Sequence, residues 1–229
     1  MLCLALDTAG PVCAVAIARS GAGDPTILAR AEERIGRGHA ERLMPMIEAA
    51  LSEARVGFED LDRVAATTGP GSFTGVRIGV AAARGLALAL GIEAVGVGSL
   101  SALALPVMRS RHAGTLAAVL DAKRKEVYVE ARELSSRKVV IHAVATPVGN
   151  LVARLADAPR PLILVGAGAP LLAAAFGEPH PEIAGLADAP DISDVALLAL
   201  AAKPGVAPTP LYARGADARP QGDKAVARL

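Results

Sequence analysis

The sequence predicts an α/β protein built from two similar lobes, each with a mixed sheet flanked by helices. The first observation is element order: three strands, a helix, a strand, a helix and a strand, followed by a second run that again opens with three strands. The second is composition, since 52% of the 229 residues are hydrophobic and only 2% aromatic. Ala, Val, Leu and Ile must therefore build the core. We predict an N-terminal lobe at residues 1–108 and a C-terminal lobe at residues 109–203. Residues 204–229 form a Pro-rich return segment and a loose tail.

Apolar periodicity and turn residues define the elements of the first lobe. The predicted elements are strands Leu2–Leu6, Val12–Ala18 and Thr26–Glu33, a helix His39–Ala54, a strand Leu61–Thr67, a helix Ser72–Leu90, a strand Glu93–Val97 and a helix Ser99–Met108. The three opening strands would form an antiparallel meander. Pro45 predicts a kink in the first helix, or a regular part that starts there. Ser72 is a suitable N-cap for the second helix.

The second lobe is predicted on the same grounds. Its elements are strands Thr115–Asp121, Glu126–Glu133, Lys138–Ala145 and Leu162–Val165, and helices Pro147–Leu155, Ala169–Phe176 and Ile192–Ala202. The stretch Pro204–Pro210 is a linker or an extended return, and the tail after Arg214 is polar.

Charge and cysteine content narrow the function classes. The chain carries 24 basic and 23 acidic residues, a net charge of +1, which argues against a protein that grips a nucleic-acid backbone alone. Cys3 and Cys13 lie in apolar runs and are expected to be small buried hydrophobes. The most apolar region, Ile78–Met108, is interrupted by Arg84 and Glu93, so we expect no membrane span and a cytoplasmic protein.

A glycine-rich element, Gly69–Gly75, joins a predicted strand to a predicted helix. Such turns are natural anion sites, because backbone N–H groups point outward at a helix N-terminus. The P-loop pattern fails because Val76 stands where Lys is required, and the spacing GxGxxxG differs from the dinucleotide fingerprint. Two interpretations stay open: a loop that faces phosphate, or a tight turn with close helix packing.

The helix after this loop is apolar around most of its circumference, which predicts burial on all sides. Either the core of the lobe or a partner chain could cover it, and we favour the partner. Arg77 and Arg84 lie two turns apart on one edge of this helix. Met44 and Met46 beside Pro45 are either gap fillers in the core or part of a binding surface, and the two helices together favour a helical interface.

Residues that would carry catalysis are sparse. His39 is the only histidine of the first lobe, and Leu43 stands where a second metal ligand on a helix would lie. Asp7 and Asp121 each end an opening strand; they are either carboxylates facing a cleft, as in phosphoryl-transfer proteins, or ordinary turn residues. The basic turn Lys123–Lys125 is either solvated or a contact for RNA or an acidic partner.

The motifs together resemble those of one family, the TsaB (YeaZ) family of tRNA threonylcarbamoyladenosine biosynthesis. They are ALDTA at Ala5–Ala9, HAERLMPMI at His39–Ile47, GPGSFTGVRIG at Gly69–Gly79, RGLALALG at Arg84–Gly91, GVGSL at Gly96–Leu100, DAKRKEVY at Asp121–Tyr128 and PLYAR at Pro210–Arg214. The likeness runs from Leu2 to about Arg214, and its most specific motif is GPGSFTGVRIG.

The resemblance implies two actin-like, ribonuclease-H-like lobes and a non-catalytic scaffold or activator subunit. By this resemblance the chain pairs with the catalytic paralogue TsaD, which modifies the adenosine next to the anticodon in ANN-decoding tRNAs. It also implies the ATPase TsaE and tRNA as further members of the complex, and a homodimer when the chain is isolated. No cofactor is expected in this chain alone, although ATP or ADP would fit a site shared with partners. The paralogue has a second histidine at the position where this chain has Leu43. This difference supports placing the chain in the non-catalytic branch of the family.

Three sets of site residues follow. The partner interface is predicted at His39, Leu43, Met46, Ile47, Arg77, Val80, Ala81 and Arg84. A vestigial nucleotide loop is predicted at Asp7, Thr8, Gly69, Gly71, Ser72, Thr74 and Gly75. The RNA or acidic-partner contact is predicted at Lys123, Arg124 and Lys125. The alternative functions are a stand-alone glycoprotease-like hydrolase or weak ATPase, and a homodimeric nucleotide-binding module.

Overall fold

A computed structural model describes residues 1–205 and 207–213. The first sheet contains β1 (Leu2–Asp7), β2 (Val12–Arg19), β3 (Thr26–Arg34), β4 (Arg63–Thr67) and β5 (Glu93–Val97), in the order β3-β2-β1-β4-β5. The three opening strands form the predicted antiparallel meander, whereas β1, β4 and β5 run parallel. The sheet is therefore mixed, as predicted.

The second sheet repeats this arrangement. It contains β6 (Thr115–Asp121), β7 (Glu126–Glu133), β8 (Val139–Pro147), β9 (Leu162–Val165) and β10 (Glu182–Gly185), in the order β10-β9-β6-β7-β8. β6 occupies the place of β1, with an antiparallel partner on one side and a parallel partner on the other. β10 was not predicted, because this short strand is exposed and follows a Pro-containing stretch without strand periodicity.

Six helices flank the sheets in the described part of the chain. They are α1 (His39–Ala54), α2 (Phe73–Leu90), α3 (Ser99–Ser110), α4 (Val148–Leu155), α5 (Ala169–Ala173) and α6 (Ile192–Ala201). α1 has the predicted bounds and runs through Pro45. α5 ends before the predicted limit at Phe176, and a short 3-10 helix at Phe58–Asp60 was not predicted.

The layers do not follow the sequence boundaries of the predicted lobes. α1 and α2 cover one face of the first sheet, and α6 covers the other face. α3 packs on the second sheet, whose opposite face carries α4 and α5. The predicted cut at 108/109 therefore separates α3 from the sheet it covers. The range 109–203 likewise includes α6, which belongs to the first sheet by packing.

Two arginines bind α6, one from the first sheet and one from the end of α3. Arg63 on β4 is buried, and its guanidinium donates to the carbonyl oxygens of Ala199 and Ala202 at 2.7 and 2.9 Å, and to Glu93 at 2.8 Å. It thereby ties the C-terminal end of α6 to the first sheet, adding a second donor at the Ala199 carbonyl, which also accepts the Ala202 N–H at 3.3 Å. Arg109 at the end of α3 pairs with Asp194 on α6 at 3.2 Å.

α2 has the length and mean hydropathy, 1.4, of a helix that could cross a membrane. One of its faces nevertheless packs in the core of the first lobe through Val76, Val80 and Ala83. A core helix of an α/β protein satisfies the same length and composition test, and packing accounts for the apolar residues on this face of α2, whereas the outer side, predicted to be buried, is exposed.

Both cysteines are buried and unpaired, as predicted. Cys3 faces the α6 side of the first sheet, and Cys13 faces the α1 side. Burial raises the pKa of the Cys3 thiol to about 12 and that of Cys13 to about 11.

Candidate docking face and interlobe cleft

The glycine element packs directly on the turn between β1 and β2. Ser72 is the N-cap of α2, as predicted, and its hydroxyl accepts the Gly75 N–H at 3.2 Å. A Cβ at Gly71 would overlap the Ala9 carbonyl, and a Cβ at Gly75 would overlap that of Thr8. Gly69 has a φ of +95°, which favours glycine. The geometry thus favours the second interpretation of this element, a tight turn with close helix packing.

Asp7 is buried beneath this element. Its Oδ1 accepts the Thr67 hydroxyl at 2.5 Å and the Ala9 N–H at 2.9 Å, whereas Oδ2 has no hydrogen-bond partner among the described residues. Burial raises the pKa of Asp7, and the hydrogen bond from Thr67 partly offsets that rise. Nε2 of His39 is likewise buried without a described partner.

A cleft of about 670 Å³ lies between the lobes. Its polar lining includes Ser72, Ser99, Asp121, Lys123 and Asp188, together with the backbone of Gly71. Only Gly71 and Ser72 of the predicted nucleotide loop are among the lining residues. Of the other predicted loop residues, Asp7 and Thr8 are buried, and Gly75 is covered by Thr8.

Ser99 also lines the cleft and was not among the predicted site residues. It is the first residue of α3, and its hydroxyl is buried without a hydrogen-bond partner among the described residues. Its N–H donates to the Gly69 carbonyl at 2.9 Å, which ties the start of α3 to the glycine element. The only available sequence signal was its place at the start of a predicted helix.

The basic turn joins β6 to β7. Lys123, Arg124 and Lys125 have positive φ values of 64°, 55° and 62°. The Lys123 ammonium pairs with Asp121 at 2.8 Å, and hydrogen bonds from Lys123 lower the pKa of Asp121. The sequence left open whether Asp7 and Asp121 face a cleft or are ordinary turn residues; Asp121 lines the cleft and Asp7 does not.

The predicted interface residues divide into two groups. Five of them are buried in the first lobe: His39, Leu43, Met46, Ile47 and Val80. Four of these side chains pack in the core between the helices and the first sheet, and His39 is also enclosed, which leaves the exposed members of the predicted set available to a partner. Arg77, Ala81 and Arg84 are exposed.

One exposed stripe runs along the outer side of α2. Phe73, Arg77, Ala81, Arg84 and Leu88 recur every three or four residues and so share one side of the helix. Phe73 is 56% exposed and Leu88 85%. We call these five residues the docking face. Phe73 and Leu88 were missed, because an apolar helix does not reveal in its sequence which side faces solvent.

Aromatic and cationic groups meet at one end of the docking face. The guanidinium carbon of Arg77 lies 3.5 Å from the ring centroid of Phe73. Nε of Arg77 donates to the Tyr212 hydroxyl at 2.7 Å, and the two aromatic rings are 5.3 Å apart. Tyr212 belongs to the predicted Pro-rich return segment, which therefore reaches α2.

Metal-ligating side chains do not cluster in residues 1–205 and 207–213: no group of three or more His, Cys, Asp or Glu there is placed to hold an ion.

The two sheets, their order and the cleft between them define a two-lobed, actin-like α/β protein. The family model described as "TsaD: tRNA N6-adenosine threonylcarbamoyltransferase" matches residues 31–167. The structure of YeaZ from Pseudomonas aeruginosa is similar with a TM-score of 0.70 at 27% identity, covering 92% of this chain and 99% of that one. A second Pseudomonas aeruginosa structure, described as similar to peptidase YeaZ, gives a TM-score of 0.75 at 29% identity, with coverages of 93% and 99%.

Sequence relatives agree with these structures. An uncharacterized protein of Mycobacterium tuberculosis is 39% identical over 223 residues, 95% of this chain and 93% of the relative. The tRNA threonylcarbamoyladenosine biosynthesis protein TsaB of Escherichia coli is 38% identical over 128 residues, 56% of this chain and 53% of that protein. The chain belongs to the TsaB (YeaZ) family, which confirms the predicted family and fold class.

Proposed function

We propose that this chain is a non-catalytic scaffold and activator subunit of the complex that adds the threonylcarbamoyl group to the adenosine next to the anticodon in ANN-decoding tRNAs. The relatives of Escherichia coli and Bacillus subtilis, which are named as tRNA threonylcarbamoyladenosine biosynthesis proteins, support this pathway. The direct partner is the catalytic paralogue TsaD, and the ATPase TsaE and the tRNA join through the complex. The chain acts in the cytoplasm.

The docking face carries this proposal. Leu88 and Phe73 are large apolar side chains exposed to solvent on α2. They cannot turn inward, because the opposite side of the helix packs in the core. Burying such side chains against a partner is favourable by about 25 cal/mol for each Å² of apolar surface removed from water. Ala81 permits close approach of a second helix, and Arg77 and Arg84 supply a charged rim.

The same face accounts for both assemblies in the proposal. A helix pair from the paralogue, which shares this fold in the proposal, would meet α2 in the heterodimer. A second copy of this chain would meet it when the paralogue is absent, giving the homodimer. Met44, which is 39% exposed on α1, would extend the contact toward the first helix.

The non-catalytic role is supported by the side chains at the places where chemistry would be expected. Leu43 is buried in the core where a second histidine would stand. Asp7 is enclosed by Thr67 and Ala9 rather than presented to the cleft.

We further propose that ATP or ADP binds at a site shared with the partners rather than in this chain alone. The cleft supports a nucleotide contact, because the unpartnered Ser99 hydroxyl and the Gly71 backbone both lie in its lining. Lys123 there is already paired with Asp121, so the charge that this chain offers to a triphosphate is small. Calorimetry with ATP and ADP should give heat for the complex and none for the isolated chain.

A reconstituted modification reaction tests the proposal. Purified TsaD, TsaE, a threonylcarbamoyl donor and unmodified ANN-decoding tRNA should yield modified tRNA only when this chain is added. This chain alone should give neither modified tRNA nor ATP turnover. A reaction that proceeds equally without the chain would refute the activator role, and turnover by the chain alone would favour the hydrolase or ATPase alternative.

A further inference from the structure

The described C-terminal segment, residues 207–213, crosses from one lobe to the other; we call it the strap. The Leu211 N–H donates to the Thr68 carbonyl of the first lobe at 2.8 Å. The Ala145 N–H on β8 of the second lobe donates to the Ala213 carbonyl at 3.0 Å. Leu211 and Ala213 are separated by a single residue, so the two lobes are joined through a very short piece of backbone.

The strap lies on glycines of the first lobe. A Cβ at Gly69 would stand 3.2 Å from the Leu211 carbonyl oxygen, and one at Gly96 would stand 3.4 Å from Cα of Pro208. The approach at Gly69 is closer than an ordinary contact of a Cβ, so a side chain there would press on the strap, whereas Pro208 lies at ordinary contact distance from residue 96. The strap is therefore seated on the same loop that launches α2.

Tyr212, the residue between the two backbone bonds, is directed to α2. Its hydroxyl accepts the Arg77 N–H at 2.7 Å, and the Arg77 guanidinium carbon lies 5.4 Å from its ring centroid. Phe73 covers the same guanidinium from closer range. Three consecutive strap residues thus contact the first lobe, the docking face and the second lobe in turn.

We propose that the strap locks the two lobes in one relative orientation, and that Tyr212 is a positioning residue that holds Arg77 and Phe73 in the docking face. The side chain of Tyr212 anchors the backbone on both of its sides, because lifting it also pulls on Leu211 and Ala213. A partner then meets a complete docking face only while the strap is seated. The claim that the strap locks the lobes concerns the isolated chain and does not need a partner. The claim that Tyr212 positions Arg77 and Phe73 rests on the proposed docking function.

Amide hydrogen exchange on the full-length chain tests the lock. In Tyr212→Ala, exchange at the Leu211 and Ala145 amides should speed up about tenfold, the effect of losing one hydrogen bond and one exposed cation–π contact. Tyr212→Phe keeps the ring and loses only the hydroxyl, so its acceleration should be smaller. The Val119 amide on the central strand β6 serves as the internal control and should not change.

Acceleration at both amides with Val119 unchanged supports the lock. Acceleration at one amide alone, at neither, or at all three equally overturns it, because the strap would then be frayed, unimportant or merely part of the global stability.

Binding of the paralogue tests the positioning role separately. Tyr212→Ala should weaken the heterodimer about threefold to tenfold, and Tyr212→Phe should weaken it less. Equal binding by wild type and Tyr212→Ala would overturn the positioning role. If the wild-type chain does not bind the paralogue, the proposed function is wrong. The hydrogen-exchange measurement then still tests whether the strap locks the lobes, because it does not involve the paralogue.

Discussion

Thr8 and Gly75 are joined through both side chain and backbone. The Thr8 hydroxyl donates to the Gly75 carbonyl at 2.7 Å, and the Thr8 carbonyl fills the space that a Cβ at residue 75 would need. The turn after β1 is thereby pressed against the first turn of α2. This contact sets the direction of the helix that carries the docking face.

Replacing Gly75 by Ala should destabilise the fold by about 3 kcal/mol, because the new methyl group has no room against the Thr8 backbone. Gly85→Ala is the matched control in the same helix. No atom lies within 4 Å of a Cβ there, so this change should be neutral or stabilising by up to about 1 kcal/mol. Urea unfolding measures both; equal effects of the two substitutions would refute the close-packing account.

Arg63→Met should cost about 2 to 3 kcal/mol of stability, because the guanidinium bonds to Ala199, Ala202 and Glu93 are lost and buried carbonyls remain. Arg160→Met is the control, since Arg160 donates to the Ala156 carbonyl at an exposed helix end. Its loss should cost under about 0.5 kcal/mol. Thermal unfolding of both variants checks this, and a cost at Arg63 as small as that at Arg160 would contradict it.

Asp7→Asn should change how stability depends on pH. Burial raises the folded-state pKa of Asp7 above its ordinary value of 3.8, so the folded chain holds this proton more tightly than the unfolded chain. The contribution of Asp7 to the free energy of unfolding therefore falls as pH rises from the unfolded to the folded pKa. Asn does not ionise, so the stability of the variant minus that of wild type should increase from about pH 4 to pH 7. Urea melts across that range measure the difference; one that stays constant or decreases would contradict the shift.

The two thiols should be unreactive in the folded chain. Their pKa values are raised to about 12 for Cys3 and about 11 for Cys13, and both side chains are buried, so little thiolate forms or meets solvent near neutral pH. A thiol-specific chromogenic reagent should label both cysteines in urea and neither in buffer. Rapid labelling of either one in the native state would show that its strand opens.

Local patterns predicted most of the secondary structure. The bounds of α1 and the strands β5, β6, β7 and β9 agree with the predictions, because apolar spacing and flanking turn residues are short-range signals. The antiparallel meander followed from the turns between β1, β2 and β3. By contrast, the packing of α3 and α6 depends on contacts between residues far apart in sequence, such as Arg63 with Ala199.

The docking face was predicted only in part for a physical reason. α2 buries its small residues, including Gly75, Gly79 and Ala83, because they allow close approach to the sheet and to the Thr8 turn. Larger Phe73 and Leu88 are left outside. Hydrophobicity alone favours burial of these two larger side chains and so misplaces them, although it correctly leaves Arg77 and Arg84 outside.

The cleft was harder to predict. Ser99 enters it because the start of α3 is bonded to Gly69, a contact that no sequence spacing encodes. Asp7 does not line the cleft, because its carboxylate is buried and accepts a hydrogen bond from Thr67 on a neighbouring strand. Both outcomes depend on how strands and helices meet in three dimensions.

Light scattering of this chain mixed with TsaD tests the central claim most directly. Wild type should form one species with the summed mass of the two chains, and Leu88→Asp should leave them separate because a carboxylate replaces the most exposed apolar side chain of the docking face. Leu186→Asp is the control: this leucine is 60% exposed in the other lobe, and its variant should bind as wild type does. A heterodimer that tolerates Leu88→Asp, or none with wild type, would contradict docking through α2.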